Sequence, residues 1–138
     1  MMDPKTAQAL VNKAIEAREK AYAPYSKFKV GAAILTKDGT VFPGCNIENA
    51  SYGATICAER VAVANMVSSG HTDPVAIAIC YNEAEFALPC GICRQVLSEF
   101  ADQKEDLIVL MAKLDGAYRE TTLSNLLPGA FKLVDGHN

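Results

Sequence analysis

The chain has 138 residues, of which 50% are hydrophobic and 21% are charged, a composition that excludes a disordered, collagen-like or coiled-coil protein. This length suits a single domain over residues 1–138. A net charge of -3 favours a small-molecule ligand over a nucleic acid partner. No apolar stretch reaches the about 18 residues that a membrane span requires, so we expect a cytoplasmic protein without a membrane partner.

Helix and strand patterns alternate along the first half of the chain. In chain order they predict a helix from Pro4 to about Ala21, a buried strand over Val30–Leu35, a return strand over Thr40–Cys45, a loop over Asn46–Thr55 and a second helix from Cys57 to about Gly70. The small residues that begin the first strand, Gly31 among them, leave room for another element to approach closely. Pro43 cannot donate to a ladder, so the second strand is expected at a sheet edge.

The second half continues the alternation. It predicts a central strand over Val75–Cys80, a third helix from Cys90 to Phe100, a buried strand over Leu107–Met111, a last strand over Tyr118–Thr121 and a helical turn over Ser124–Leu127. Strands interleaved with helices imply a sheet that is covered on both faces. The predicted fold class is therefore α/β, a three-layer α/β/α sandwich with a central mixed five-stranded sheet.

Five cysteines in a chain with no secretion signal at its start favour thiolate or metal chemistry over disulfides. Cys57, Cys90 and Cys93 lie where loops become helices, and a helix N-terminus lowers the pKa of a thiol. Three thiolates leave one position of tetrahedral Zn²⁺ open, which is typical of catalytic zinc. Alternatively, Cys45 or Cys80 closes the site as a fourth ligand and makes it structural, although their strand-like neighbours favour buried thiols.

Three charged residues adjoin these cysteines. Glu59 lies in the first helical turn beside Cys57, where a carboxylate could move protons or could simply stabilise the helix through its dipole. Three thiolates around Zn²⁺ leave a net negative charge, so Arg60 is expected to donate hydrogen bonds to the sulfurs. Arg94 is a second candidate for such a supporting role, and both arginines could instead be ordinary surface cations.

The motifs Cys57-Ala58-Glu59-Arg60 and Pro89-Cys90-Gly91-Ile92-Cys93-Arg94-Gln95 resemble those of the small homotetrameric zinc-dependent cytidine deaminases, within the cytidine and deoxycytidylate deaminase superfamily. The resemblance extends over residues 23–33, 44–52 and 126–131, and so over nearly the whole chain. It implies one Zn²⁺ per subunit and hydrolysis of cytidine and 2′-deoxycytidine to uridine and 2′-deoxyuridine plus ammonia, in pyrimidine salvage. In such zinc deaminases a glutamate that does not bind the metal carries the proton, which implies that role for Glu59.

The resemblance also implies how a nucleoside is held. Asn46 and Glu48 would bind the ribose hydroxyls, and Phe28 would pack against the base. Three further residues would reach into a neighbouring subunit's site in a homotetramer that shares its sites: Ala50, Tyr52 and Phe131. For Phe28 and Phe131 the alternative is an ordinary place in the hydrophobic core.

Two other functions remain open at this stage. The first is an interaction module with structural zinc and no catalysis, and the second is a related deaminase for another aminated base or a nucleoside antibiotic. Deaminases that act on nucleotides, RNA or DNA usually have a His-x-Glu pattern at the first motif, where this chain has Cys57. The resemblance therefore favours a free nucleoside as the substrate. The apolar surface of Val61–Val67 exceeds what one sheet face requires, so this helix either lines an oligomer interface or is buried within one subunit.

Overall fold

The computed structural model describes residues 1–102 and 104–133. Its helices are α1 (Pro4–Arg18), α2 (Ala58–Ser68), α3 (Gly91–Phe100) and α4 (Leu123–Leu126), and its strands are β1 (Gly31–Thr36), β2 (Val41–Cys45), β3 (Pro74–Cys80), β4 (Ile108–Ala112) and β5 (Tyr118–Thr122). The predicted elements are all present, but α1 ends before Ala21 because the amides of Lys20 and Ala21 bond three residues back and close tight turns. None of the helices in the described ranges has the length and hydropathy needed to cross a membrane.

The strands form one five-stranded sheet in the order β2-β1-β3-β4-β5. β3 and β4 are parallel, and each of the other neighbouring pairs is antiparallel. The predicted mixed sheet is confirmed, as is the hairpin of the first two strands. Pro43 lies on β2, which is an edge strand as expected. A residue without an N–H is tolerated there, because an edge strand pairs with a neighbour on one side only.

Helices cover both faces of this sheet, which confirms the three-layer sandwich. The central strand β3 shows the division, because its residues alternate between two hydrophobic cores. Ala76, Ala78 and Cys80 pack under α1, whereas Ile77 and Ile79 pack under α2 and α3. Small residues on the first face let α1 lie close to the sheet, and the larger isoleucines fill a deeper space on the second face.

Two glycines let helices approach the sheet more closely than any side chain would allow. A Cβ on Gly31 would lie 2.0 Å from the Ala14 carbonyl oxygen of α1, as the small residues of this strand predict. A Cβ on Gly44 would lie 2.4 Å from the backbone oxygen of Ala58 in α2. The first turn of α2 therefore lies directly against β2, and this contact fixes the position of the residues that begin the helix.

Candidate metal centre

The sheet brings the beginnings of α2 and α3 to the same end of the molecule. Gly31 of β1 pairs with the last residue of β2 on one side and with the last residue of β3 on the other, Cys45 and Cys80. The loop after β2 leads to α2, and the loop after β3 leads to α3. Both loops thus leave the carboxyl ends of the two strands that flank β1, at the edge of the sheet where α/β folds place ligand sites.

Three cysteine sulfurs meet at these two helix starts. Cys57 and Cys90 are the residues that immediately precede α2 and α3, and Cys93 lies in the first turn of α3. The Sγ atoms of Cys57 and Cys90 are 3.8 Å apart, those of Cys90 and Cys93 are 3.3 Å apart, and all three lie within 4.8 Å of one another. Neither Cys57 nor Cys90 uses its side chain to cap its helix, so the sulfurs are available to a ligand.

This arrangement fits Zn²⁺. Two sulfurs that each bind a tetrahedral zinc ion at about 2.3 Å are about 3.8 Å apart. Among the described residues, no further histidine, cysteine or carboxylate completes the group. Cys45 and Cys80 lie outside this group of sulfurs, so the interpretation that one of them is a fourth ligand is wrong. The three-thiolate set leaves the fourth position for a ligand that is not part of the chain.

Charge is distributed unevenly within the cluster. Hydrogen bonding from the Cys93 thiol, together with the Arg60 guanidinium, lowers the pKa of Cys57 to about 5. The same hydrogen bond, with burial, raises the pKa of Cys93. Cys57 is therefore a thiolate at neutral pH, whereas Cys93 must lose a proton when a metal ion binds.

Glu59 is a buried carboxyl group beside these sulfurs. It lies in the first turn of α2 and is only 4% exposed. Burial, and to a smaller extent the negative charge of Cys57, raises the pKa of Glu59 to about 7. A carboxyl group with this pKa both accepts and releases protons at neutral pH, which is what a general acid–base group requires.

The two candidate arginines have different partners. Arg60 donates from Nη2 to the Sγ of Cys57 at 3.4 Å, so it lies against a candidate ligand as expected. Arg94 contacts no sulfur. It donates from Nε to the Pro89 carbonyl at 2.8 Å and from Nη1 to the Leu126 carbonyl at 2.9 Å, and so joins the loop before Cys90 to the end of α4.

Asn46 and Glu48 hold the segment that carries Phe28. The Asn46 Oδ1 accepts a hydrogen bond from the Val30 amide at 2.9 Å, and its Nδ2 donates to the Phe28 carbonyl at 2.8 Å. The Glu48 carboxylate accepts from the Ser26 hydroxyl and from the amides of Tyr25 and Ser26. These bonds, that of the hydroxyl above all, lower the pKa of Glu48 and keep it charged. Both side chains are thus partly engaged before any ligand binds.

The remaining candidates are exposed in the single chain. Phe28 is 45% exposed, Tyr52 is 79% exposed and Phe131 is 69% exposed, and Ala50 is also on the surface. The alternative that Phe28 and Phe131 belong to the hydrophobic core is therefore wrong for this chain. The structure joins Phe28 to Asn46 by hydrogen bonding, but it leaves Ala50, Tyr52 and Phe131 open to solvent.

The contacts of Tyr81 and His71 could not be expected from the sequence. Tyr81, directly after β3, packs its ring on Phe28 with centroids 5.2 Å apart and accepts a hydrogen bond from the Leu88 amide. His71, just after the end of α2, is half-buried; its Nε2 lies 3.1 Å from Asp38 and its ring packs on Phe42. The only sequence signal for Tyr81 is its place between a buried strand and the cysteine loop.

Comparison with known proteins gives consistent matches along the chain. Residues 4–111 match the family model described as "Cytidine and deoxycytidylate deaminase zinc-binding region". A protein of Halalkalibacterium halodurans named "Cytidine deaminase" is 52% identical over 128 residues, which are 93% of this chain and 96% of that protein. A Mycobacterium tuberculosis protein of the same name is 43% identical over 122 residues, covering 88% of this chain and 86% of the relative.

Solved structures agree with these sequence matches. The crystal structure of cytidine deaminase from Burkholderia pseudomallei superposes with a TM-score of 0.84 at 47% identity, covering 94% of this chain and all of that one. The crystal structure of cytidine deaminase from Mycobacterium tuberculosis gives a TM-score of 0.77 at 42% identity, covering 91% and 96% of the two chains.

Proposed function

Because this chain belongs to the cytidine and deoxycytidylate deaminase family, we propose that it hydrolyses cytidine and 2′-deoxycytidine to uridine and 2′-deoxyuridine, with release of ammonia, in pyrimidine salvage. The family match confirms the resemblance, the enzyme class and the fold expected from the sequence. The single observation that carries the function is the cluster of three cysteine sulfurs beside a buried glutamate. Residues 1–138 form one catalytic domain in this proposal.

Cys57, Cys90 and Cys93 hold one Zn²⁺ per subunit. The chemistry that a bound zinc ion would supply there is Lewis-acid activation of water. The hydrogen bond from Arg60 to the Cys57 sulfur offsets part of the thiolate charge. This limits the electron donation that would make the metal a weaker acid. Arg94 acts at a distance, because its two backbone contacts hold the loop that ends at Cys90.

Glu59 moves the proton. With a pKa near 7, it takes a proton from the attacking water and delivers it to N3 of the base. Glu59 then passes the second proton of the water to the amine, which leaves C4 as ammonia. Water thus supplies the new oxygen, the hydrogen on N3 of uridine and one of the three hydrogens of ammonia. Burial serves this role, because a carboxylate in full contact with solvent would have too low a pKa to donate.

The segment held by Asn46 and Glu48 binds the nucleoside. The Asn46 amide and the Glu48 carboxylate face the ribose hydroxyls, and the Phe28 ring packs against the base. The charge of Glu48, maintained by its hydrogen bonds, repels a 5′-phosphate and favours a nucleoside over a nucleotide.

The active form is a homotetramer whose sites are shared between subunits. This part of the proposal rests on the large apolar side chains left exposed in the single chain, which include Tyr22, Ile47, Tyr52, Ile56, Ile92 and Phe131. Val67 of α2 is exposed as well, as the surplus apolar surface of that helix predicts. Ala50, Tyr52 and Phe131 then complete a partner's site. The cytoplasm is the proposed location, because ligand thiols must stay reduced.

The function is tested by following the loss of cytidine absorbance with zinc-loaded protein. The Glu59→Gln variant should keep its zinc but turn over cytidine about 10²- to 10⁴-fold more slowly, and metal-stripped protein should be inactive. Near-normal turnover by Glu59→Gln would remove this residue from the mechanism. If the zinc-loaded wild-type protein leaves cytidine unchanged, the assignment to cytidine is wrong and a panel of other aminated bases identifies the substrate.

The shared site is tested by combining two impaired variants. Glu59→Gln chains supply an intact Phe131, and Phe131→Ala chains supply an intact Glu59. If Phe131 acts in a neighbouring subunit, mixed oligomers recover activity above that of either variant alone. If no activity returns although sedimentation shows mixed tetramers, Phe131 does not act across the interface.

A further inference from the structure

We propose that Tyr81 is a positioning residue that sets the base-binding ring of Phe28 relative to the loop that carries Cys90. This inference rests on the proposed function, because it takes Phe28 as the contact to the base. Tyr81 directly follows β3. Its ring contacts the Phe28 ring, and its hydroxyl contacts the loop that leads to Cys90.

Phe28 has little other support. Its side chain is 45% exposed, and the bonds made by Ser26 and Asn46 hold only its backbone. The Tyr81 ring lies 5.2 Å from the Phe28 ring at an interplanar angle of 46°, which is a favourable tilted aromatic contact. Removing the Tyr81 ring would therefore leave the Phe28 side chain free to adopt other rotamers.

The hydroxyl of Tyr81 acts on the metal side. It accepts a hydrogen bond from the Leu88 amide at 2.9 Å, two residues before Cys90. Pro89 has no amide hydrogen, so Leu88 provides the last backbone donor that can fix the loop before Cys90. The buried Pro89 then transmits this position, with its own carbonyl held by Arg94.

Tyr81 is itself firmly placed. Its ring packs against the hydrophobic core under α2 and α3. Its carbonyl accepts a 2.7 Å hydrogen bond from the Nε of Arg18 at the end of α1. Because Gly31 lets this end of α1 lie directly on β1, the backbone of Arg18, which carries this donor, is packed against the sheet.

Two substitutions separate the two contacts. Tyr81→Phe keeps the ring and removes only the hydroxyl, whereas Tyr81→Leu removes both. Tyr118→Phe is the matched control, because Tyr118 packs in the core under α1, on the other face of the sheet. The readouts are zinc affinity by chelator competition, uridine affinity by calorimetry, and kcat and KM for cytidine. A thermal melt of each variant establishes that it is folded.

For Tyr81→Phe we expect zinc affinity to fall by about two- to tenfold, with uridine affinity and KM unchanged. For Tyr81→Leu we expect, in addition, a rise of about two- to tenfold in the uridine dissociation constant and in KM. Tyr118→Phe should change neither. If Tyr81→Phe leaves zinc affinity unchanged, or if Tyr81→Leu leaves uridine affinity unchanged, the corresponding half of the proposal is wrong.

A purely structural role predicts a different pattern, in which Tyr81→Phe weakens zinc and uridine binding together in proportion to its loss of thermal stability. That pattern would also overturn the proposal. Failure of the proposed function is distinguishable, because the wild-type protein would then neither convert cytidine nor bind uridine. In that case the proposal that Tyr81 positions Phe28 for a base is refuted as well. The zinc affinity of Tyr81→Phe still tests whether the Tyr81 hydroxyl positions the loop before Cys90.

Discussion

The contact at Gly44 predicts that a single added methyl group will disturb the metal centre from outside it. In a Gly44→Ala variant the new Cβ would lie 2.4 Å from the Ala58 oxygen, 2.4 Å from the Ala62 nitrogen and 2.9 Å from the Ala62 Cα. All three are backbone atoms of α2, so no side chain can rotate out of the way. Since ordinary contacts begin near 3.4 Å, the first turn of α2 must move about 1 Å from β2.

The size of the effect follows from that displacement. Overpacking of this kind costs about 1–3 kcal/mol. For a chain of this length the melting temperature should fall by about 3–12 °C. Because Cys57 immediately precedes the displaced turn, its sulfur moves relative to those of Cys90 and Cys93 on α3. Glu59 moves with it, and a 1 Å displacement of a catalytic group can reduce turnover by about 10²-fold.

Thermal melts with and without zinc, chelator competition and cytidine turnover measure these effects together. Gly53→Ala is the control for adding a methyl group, because a Cβ at Gly53 meets nothing within 4 Å and its backbone needs no positive φ. The control should retain wild-type stability and zinc affinity. If Gly44→Ala also retains both, the close packing of α2 against β2 does not position the metal centre and this reasoning is refuted.

Two further predictions concern other parts of the molecule. Cys80→Ser should retain one zinc per chain by metal analysis, whereas Cys93→Ser should lose it, because only Cys93 belongs to the sulfur cluster; zinc loss from Cys80→Ser would contradict the ligand set. Hydrogen bonds from Thr36 first, and then from Thr40 and His71, hold the pKa of Asp38 well below its usual range. The cluster therefore stabilises the fold above the unfolded-state pKa of about 3.9 and loses this effect as pH falls further. Urea unfolding should show Asp38→Asn destabilised at pH 7, with the difference from wild type narrowing below about pH 4, and a constant difference would refute this origin.

The sequence predicts the layers of the fold because their signals are local. Apolar spacing defines each helix, and turn residues such as Gly39 define the hairpin, so the elements follow from short segments. The candidate metal ligands can be predicted in the same way, since Cys57 and Cys90 stand at helix starts that capping and periodicity reveal. Both kinds of signal act within a few residues.

What the sequence could not predict depends on contacts between distant segments. Asn46 bonds the backbone of Phe28 and Val30, and the Arg94 guanidinium reaches Leu126, 32 residues away. Arginine and asparagine have several donors and acceptors, so their type alone does not reveal which carbonyls they reach. His71 is a similar case, because its half-buried position depends on the turn at Asp38 folding back beside the end of α2.

The two halves of the metal centre are held by different physical means, and this has a consequence for its dynamics. α2 is fixed by backbone packing at Gly44, which leaves no space for movement toward the sheet. The loop before α3 is fixed instead by individual hydrogen bonds, one from the Leu88 amide to the Tyr81 hydroxyl and one from Arg94 to the Pro89 carbonyl, each of which contributes only about 1 kcal/mol net. Local opening takes place where few contacts must break, so the Cys90 side opens more readily than the Cys57 side. A metal ion that binds sulfurs from both helices therefore stabilises the loop before α3 more than it stabilises α2.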